Sequence, residues 1–556
     1  DLVVELANEG SDMVYSSVSW TLGANLERIF LAGSAPVNAT GNDLGNILYG
    51  NGNSAVNVLT GGLGDDVYYV GAGDLVVEGA SAGKDIVYSS ISWTLDANLE
   101  RLYLEGSSAV SATGNGLDNV LYGHGNSAAN VLSGGEGDDN YYVGTNDTVA
   151  EGVEQGKDSV YSYGTYTLAP NVENLYLNDS SAATLTGNNS ANSLQGNSGN
   201  DTLRGLLGND TLDGGLGADT LIGGEGDDRY YVGTGDLVVE LANEGSDMVY
   251  SSVSWTLGAN LERIFLAGSA PVNATGNDLG NILYGNGNSA VNVLTGGLGD
   301  DVYYVGAGDL VVEGASAGKD IVYSSISWVL DANLERLYLE GSSAVSATGN
   351  GLANVLYGHG NSAANVLSGG LGDDIYYVGV GDTVVEVAGQ GNDSVYSYGN
   401  HALAANVENL YLNVSAAATL NGNQLDNTLV GNSGNDTLNG GLGNDTLTGG
   451  AGNDIIRFDS LLNALTNLDT VTDYNVANDT IELANDIFTS LVAAVPLAAD
   501  WFRIGTAAVD ANDYLIYDNA NGALSYDADG SDVGVAVQFA TLTGMPALTS
   551  ADFLVT

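Results

Sequence analysis

Gly196-Asn-Ser-Gly-Asn-Asp201, Gly205-Leu-Leu-Gly-Asn-Asp210, Gly214-Gly-Leu-Gly-Ala-Asp219 and Gly223-Gly-Glu-Gly-Asp-Asp228 follow one another at nine-residue steps. Each is closed by a short apolar beat, such as Thr202-Leu203 or Thr211-Leu212. The glycines admit the left-handed backbone of a tight turn, and the sixth position returns an aspartate to the same place every time. The pattern recurs at Gly431-Asn-Ser-Gly-Asn-Asp436, Gly440-Gly-Leu-Gly-Asn-Asp445 and Gly449-Gly-Ala-Gly-Asn-Asp454. Stacked in register, these carboxylates would repel one another unless a cation lay between them. Short β-favouring beats at fixed spacing, with no helical apolar period, predict an all-β chain. A β-sandwich does not explain an Asp or Asn fixed on every turn, so the expected fold is one continuous right-handed parallel β-solenoid.

Composition agrees. The chain has 556 residues, 80 of them glycine, and a formal net charge of −58 from 69 Asp+Glu against 11 Lys+Arg. Such acidity could mark a disordered tail, but 44% hydrophobic residues and 31 tyrosines argue against one. Carboxylates and backbone carbonyls are hard oxygen ligands and suit Ca²⁺ rather than zinc or copper. With no basic patch to meet phosphates, nucleic acid is not an expected partner. The absence of cysteine excludes disulfides and thiolate metal sites. No stretch reaches the ~20 apolar residues of a transmembrane segment.

A longer repeat contains the nonapeptides. Residues 1–135 recur at 236–370 with only Thr94→Val329 and Asp118→Ala353 changed. Asp1 is therefore equivalent to Asp236, and a chain opening inside a repeat is expected to be a fragment, or the ordered part, of a longer repetitive protein. Within this unit lies one of 73 residues, beginning at Gly61, Gly134, Gly223, Gly296 and Gly369, with extra nonapeptides inserted before Gly223. The expected organisation is a solenoid unit over 1–222, a second over 223–454, and a C-terminal β-rich capping domain over 455–556.

The candidate calcium ligands are Asp201, Asp210, Asp219, Asp228, Asp436, Asp445 and Asp454. The second aspartates of the doublets, Asp66, Asp139, Asp301 and Asp374, join them. Elsewhere, as in Gly41-Asn42…Asn46-Ile-Leu48, the repeated polar residue is Asn. Stacked Asn amides can hydrogen-bond along the axis without metal, so these turns are expected to be self-sufficient. The recurring Tyr68-Tyr69, Tyr141-Tyr142 and Trp93 are read as ladders between neighbouring coils rather than a carbohydrate-binding face.

The nonapeptides resemble the RTX (repeats-in-toxin) calcium-binding repeat, whose fold is a parallel β-roll holding Ca²⁺ between adjacent turns. After Asp454 glycine becomes scarce, and Leu468-Asp-Thr-Val-Thr-Asp-Tyr474, Asn478-Asp-Thr-Ile-Glu-Leu483 and Leu524-Ser-Tyr-Asp-Ala-Asp-Gly530 follow. This series resembles the C-terminal domain of RTX proteases and lipases exported by type I secretion, and Asp552-Phe-Leu-Val-Thr556 resembles their export signal. The resemblance implies multiple Ca²⁺ ions, an ABC-type exporter as transient partner and a secreted, extracellular or cell-surface location.

Catalysis is not expected. There are three histidines, His124, His359 and His401, and no His-Glu-x-x-His zinc helix. Gly79-Ala-Ser-Ala-Gly83 formally matches a Gly-x-Ser-x-Gly elbow but lies between two β beats, without a strand-to-helix turn. The expectation is a secreted calcium-binding structural protein of S-layer, filament or adhesin type, self-associating or attached to a cell surface. The alternative is a non-catalytic export and folding region of a larger secreted enzyme or adhesin.

Overall fold

The computed structural model describes residues 2–492 and 497–556, so Asp1, from which the repeat phase is counted, lies outside the described residues. The backbone is a parallel β-solenoid and falls into two compact units, one ending at Ala267 and one covering Gly268–Thr556. Among the described residues there is no α-helix, only two 3₁₀ turns at Ala499–Trp501 and Ser550–Asp552.

In the first unit, successive short strands alternate between two sheets. Val67–Val70 pairs in parallel with Ile47–Tyr49 on the turn before and with Ile86–Ser89 on the turn after. Between them, on the opposite sheet, Val58–Thr60 pairs with Leu75–Val77. The strands are short because a three- or four-residue beat is all that fits between glycine or asparagine turns. Alternation within each beat sends its second residue inward. Leu48, Leu59, Tyr68, Val76, Val87 and Leu102 accordingly fill a narrow lumen, each 2% exposed or less. Burying each leucine contributes about 1.5–3 kcal/mol, and the gain repeats with every turn.

The same alternation splits each Tyr-Tyr pair. Tyr68 is wholly buried, while Tyr69 faces outward in a continuous stack running Tyr49, Tyr69, Tyr88, Tyr103, Tyr122. Ring centroids there lie 3.9–5.0 Å apart. Tyr15 and Phe30 extend the stack at one end, and Tyr142, Tyr161 and Tyr176 at the other. The expected aromatic ladder is therefore present, as a spine on the outer surface of one sheet.

The second unit repeats this plan. Val302–Val305 pairs with Ile282–Tyr284 and Ile321–Ser324, and Val293–Thr295 with Leu310–Val312. A second tyrosine stack runs from Tyr284 through Tyr304, Tyr323, Tyr338, Tyr357, Tyr377 and Tyr396 to Tyr411. The segment after Asp454 is built onto the last turns. Ile455–Phe458 pairs in parallel with Thr480–Leu483, which pairs with Phe553–Val555. Leu515–Asp518, Ala523–Tyr526 and Val537–Leu542 then form an antiparallel meander whose last strand pairs with Asp469–Val471. Phe458, Phe488 and Phe539 pack edge to face beneath it, with centroids 5.0–5.1 Å apart.

Candidate metal centres

All eleven aspartates singled out in the sequence are buried, none more than 1% exposed. Each ends a glycine turn and begins a strand, so its side chain lies at the mouth of the lumen. They stand in axial columns. The Oδ1 of each accepts the backbone N–H of the column residue one turn earlier. Asn46 donates to Asp66 (2.5 Å), Asn192 to Asp210 (2.6 Å), Asp201 to Asp219 (2.7 Å) and Asp436 to Asp454 (2.8 Å). The second oxygen differs. Oδ2 of Asp66, Asp139, Asp210, Asp219, Asp228, Asp301, Asp374, Asp445 and Asp454 is buried with no hydrogen-bond partner. In Asp201 and Asp436 it accepts the N–H of Asn197 (3.2 Å) and Asn432 (3.1 Å). A buried carboxylate oxygen without a donor carries a heavy desolvation cost, and nine of them at equivalent positions fit a cation as the missing partner.

The Asn turns are complete by themselves, though not by the amide-on-amide ladder expected. Asn46 sits in the same column as Asp66, but its neighbours there are not other asparagines. Its Oδ1 accepts from Asn42 N–H at 2.7 Å, and its Nδ2 donates to the Leu26 carbonyl on the previous turn at 3.1 Å. Asn119 and Asn354 repeat both bonds.

The columns also contain acids outside the nonapeptide pattern. Asp85 follows Asp66, its Oδ1 taking the Asp66 N–H at 2.8 Å, and Asp158, Asp247, Asp320 and Asp393 take the same place after Asp139, Asp228, Asp301 and Asp374. On the other edge Asp74 accepts from Asn57, and Asp309 from Asn292. Four sets close into acidic triads in which one carboxylate oxygen of each member lies within 4.8 Å of the others. These are Asp66–Glu78–Asp85, Asp228–Glu240–Asp247, Asp301–Glu313–Asp320 and Asp374–Glu386–Asp393. Sequence reasoning missed the glutamates because they lie outside any glycine motif. The available signal was spacing: in all five 73-residue units a glutamate follows the second Asp of the doublet by twelve residues and precedes another Asp by seven.

Burial dominates the electrostatics. It pushes Asp66 and Glu78 up to about 7 and Asp85 to about 6, with neighbouring carboxylates adding to the shift. Asp228 rises to about 7 and Glu240 to about 8 for the same reasons. Asp210, in a nonapeptide pair, is raised to about 7 by burial. Two like charges 4.8 Å apart repel by about 3–4 kcal/mol at an effective dielectric of ~20. Three such pairs per triad make the fully ionised, cation-free arrangement costly. A divalent ion reverses the sign of that sum.

Ser81 lies on the turn between Leu75–Val77 and Ile86–Ser89, a strand-to-strand connection, with φ of 64°. The Gly-x-Ser-x-Gly match therefore lacks the helix that a nucleophile elbow requires.

A parallel β-solenoid whose turns carry buried, partnerless carboxylates in columns defines a metal-binding repeat protein. The family model of the RTX calcium-binding nonapeptide repeat matches the chain four times, at residues 186–221, 204–236, 348–385 and 421–456. These stretches thus carry RTX calcium-binding nonapeptide repeats, and the cofactor that such repeats bind is Ca²⁺. The matched segments contain eight of the eleven aspartates, all but Asp66, Asp139 and Asp301. A curated relative, endo-1,3-1,4-beta-glycanase ExsH of Rhizobium meliloti (strain 1021), is 42% identical over 74 residues. That match covers 13% of this chain and 16% of the relative. Among the described residues no helix is long and apolar enough to cross a membrane.

Proposed function

We propose that this chain is a secreted structural protein of the cell surface or extracellular matrix that folds on binding Ca²⁺. One observation carries the reading: nine buried aspartate oxygens at equivalent turns have no protein donor. Calcium at Asp66, Asp139, Asp210, Asp219, Asp228, Asp301, Asp374, Asp445 and Asp454 supplies what the backbone does not, and Asp201 and Asp436, whose Oδ2 already takes a backbone N–H, complete the proposed ligand set. Where calcium is scarce, as inside a cell, the columns repel and the chain stays open for an ABC-type exporter. Where calcium is plentiful, binding and folding are one equilibrium. Residues 455–556, built onto the last turns, serve as the cap and the export-signal region.

Near-identity of 1–135 and 236–370 supports a role in which copy number counts more than individual residues, as in an S-layer, filament or adhesin stalk. Self-association through the repeated faces belongs to the same reading. The testing experiment is a calcium titration followed by circular dichroism and light scattering, with magnesium and EDTA controls. Cooperative gain of β signal with rising scattering is the expected result. A β signal indifferent to calcium overturns the reading.

The match to a glycanase segment favours one second reading, in which the chain is the calcium-folded, non-catalytic region of a larger secreted enzyme. Folding on calcium without scattering, together with a globular domain elsewhere in the full-length protein, is the outcome that selects it.

A further inference from the structure

The glutamates of the triads occupy a place in the solenoid that the nonapeptide repeat gives to glycine. Val77 registers on Thr60 in the parallel ladder, which puts Glu78 directly over Gly61, the first glycine of its motif. Val312 on Thr295 does the same for Glu313 over Gly296. From there the Glu78 side chain turns inward and its Oε1 takes the Gly61 N–H at 3.2 Å. A β-carbon on Gly61 would collide with Asp66 Oδ2, Tyr68 Oη and Glu78 Oε1 at once, so these three atoms converge on one point in the lumen. Glycine is required there for lack of room.

Glu78 accepts the Gly61 N–H on Oε1 and the Gly79 N–H on Oε2, whereas the aspartates around that point are fixed but each keep one oxygen unspent. Asp66 and Asp85 each commit Oδ1 to a backbone N–H one turn away, and the Oδ2 of each is left buried without a partner. Tyr68 is fully buried and its hydroxyl, aimed into the same point, has no partner either. In the later copies Tyr230, Tyr303 and Tyr376 donate to Oε1 of Glu240, Glu313 and Glu386. That bond fixes the glutamate, while Oε2 of Glu240 and of Glu386 is left buried and bare. The paired aspartates of the nonapeptide runs, Asp210 over Asp228 for example, belong to the ordinary column; the triads add a third carboxylate from the opposite sheet.

We propose that each triad is a second class of calcium site, inside the lumen, in which Glu78, Glu240, Glu313 or Glu386 completes the shell begun by two stacked aspartates, with the neighbouring tyrosine hydroxyl beside it. The proposal rests on the calcium reading above and assigns the ion's additional ligand. An ion here joins three passes of chain: the doublet turn, the following turn on the same edge, and the end of the strand between them on the other sheet. It therefore clamps the 73-residue unit across its width, whereas the column sites tie only turn to turn. A third carboxylate also makes these sites the first to fill as calcium rises.

The test counts calcium bound per chain by equilibrium dialysis and elemental analysis. It compares the wild type, Glu78→Gln, the combined Glu78→Gln, Glu240→Gln, Glu313→Gln and Glu386→Gln variant, and Glu105→Gln, an exposed glutamate, as control. Glutamine keeps the size and the Oε1 acceptor. The expected result is loss of one ion in the single variant and four in the combined one, with the tightest phase of the titration removed and Glu105→Gln unchanged. Should the combined variant not fold, the single variant, which leaves three triads intact, still decides. Wild-type stoichiometry in Glu78→Gln overturns the proposal and leaves the glutamate as an acceptor of the Gly61 and Gly79 N–H groups. A wild type that binds no calcium overturns the calcium reading itself.

Discussion

Asn46 and Asp66 occupy successive positions of one axial column, are equally buried, and differ in a single group, an amide against a carboxylate. The amide finds a partner for both its ends: Asn42 N–H for the oxygen and the Leu26 carbonyl for the nitrogen. The carboxylate finds one for Oδ1 and none for Oδ2. The same backbone turn is thus self-sufficient in one chemical version and incomplete in the other. A turn written in Asn needs no cation to satisfy its side chain, and one written in Asp leaves an oxygen that a cation would complete. This chain alternates the two within each 73-residue unit. The Asn turns satisfy their own side chains, and the Asp turns leave a buried oxygen bare.

The largest test of that contrast is removal of calcium. Each site filled at a hundredfold excess over its Kd contributes about 2.7 kcal/mol to folding, and the sites add along the column. Excess EDTA is therefore expected to abolish most of the far-ultraviolet β signal, and re-addition of calcium but not magnesium to restore it. Retention of the full signal in EDTA would place the Asp turns beside the Asn turns as metal-independent.

Next is conversion of an Asn turn into an Asp turn. Asn46→Asp discards the donor to Leu26 and adds a bare oxygen one turn from Asp66. Losing a buried partner costs roughly 1–3 kcal/mol. A lowered unfolding midpoint that recovers at high calcium is the expected outcome, read by chemical denaturation at two calcium concentrations. No change at either concentration would sink the idea that donor supply separates the two turns.

The reverse change is smaller and opposite in sign. Asp210→Asn retains an oxygen for the Asn192 N–H and replaces the partnerless Oδ2 with a donor. One calcium per chain should be lost while stability without calcium rises by about 1 kcal/mol. Isothermal titration and denaturation in EDTA measure the two halves, and loss of stability in EDTA is the contrary result.

The smallest effect is on pH. Burial holds Asp66, Glu78 and Asp228 up near 7 in the folded, calcium-free chain, against about 4 for exposed carboxyls. Between those values the folded state binds more protons than the unfolded, so stability is present below about pH 4 and is lost as pH rises through 7. In EDTA the chain should keep more β signal at about pH 5 than at about pH 7.5, and the opposite trend in a circular dichroism scan would contradict it.

How much of this was legible beforehand depends on whether it was written into glycine. The nonapeptide period exposes the solenoid, the columns and their eleven aspartates, because a turn glycine and its carboxylate lie within six residues of each other. Glu78 and Asp85 are brought to Asp66 by the winding of the coil, twelve and nineteen residues along, and no local motif announces them. Only the constancy of those spacings across five units pointed their way. The bonding of Asn46 was misread for a related reason: the residue above it is Asp66 and those below are Leu26 and Glu27, so a ladder of like residues does not form.

The outer tyrosines of the first unit are stacked face to face, with neighbouring centroids at 4.6 Å for Tyr49 and Tyr69 and 3.9 Å for Tyr103 and Tyr122. At such separations neighbouring rings lie well within the range of resonance energy transfer. Excitation entering at any one of them can pass to its stacked neighbours before it is lost. One nitrated or oxidised ring drains the whole row. The protein therefore carries its own optical gauge of coil integrity, in which a single parted turn divides one long light path into two short ones.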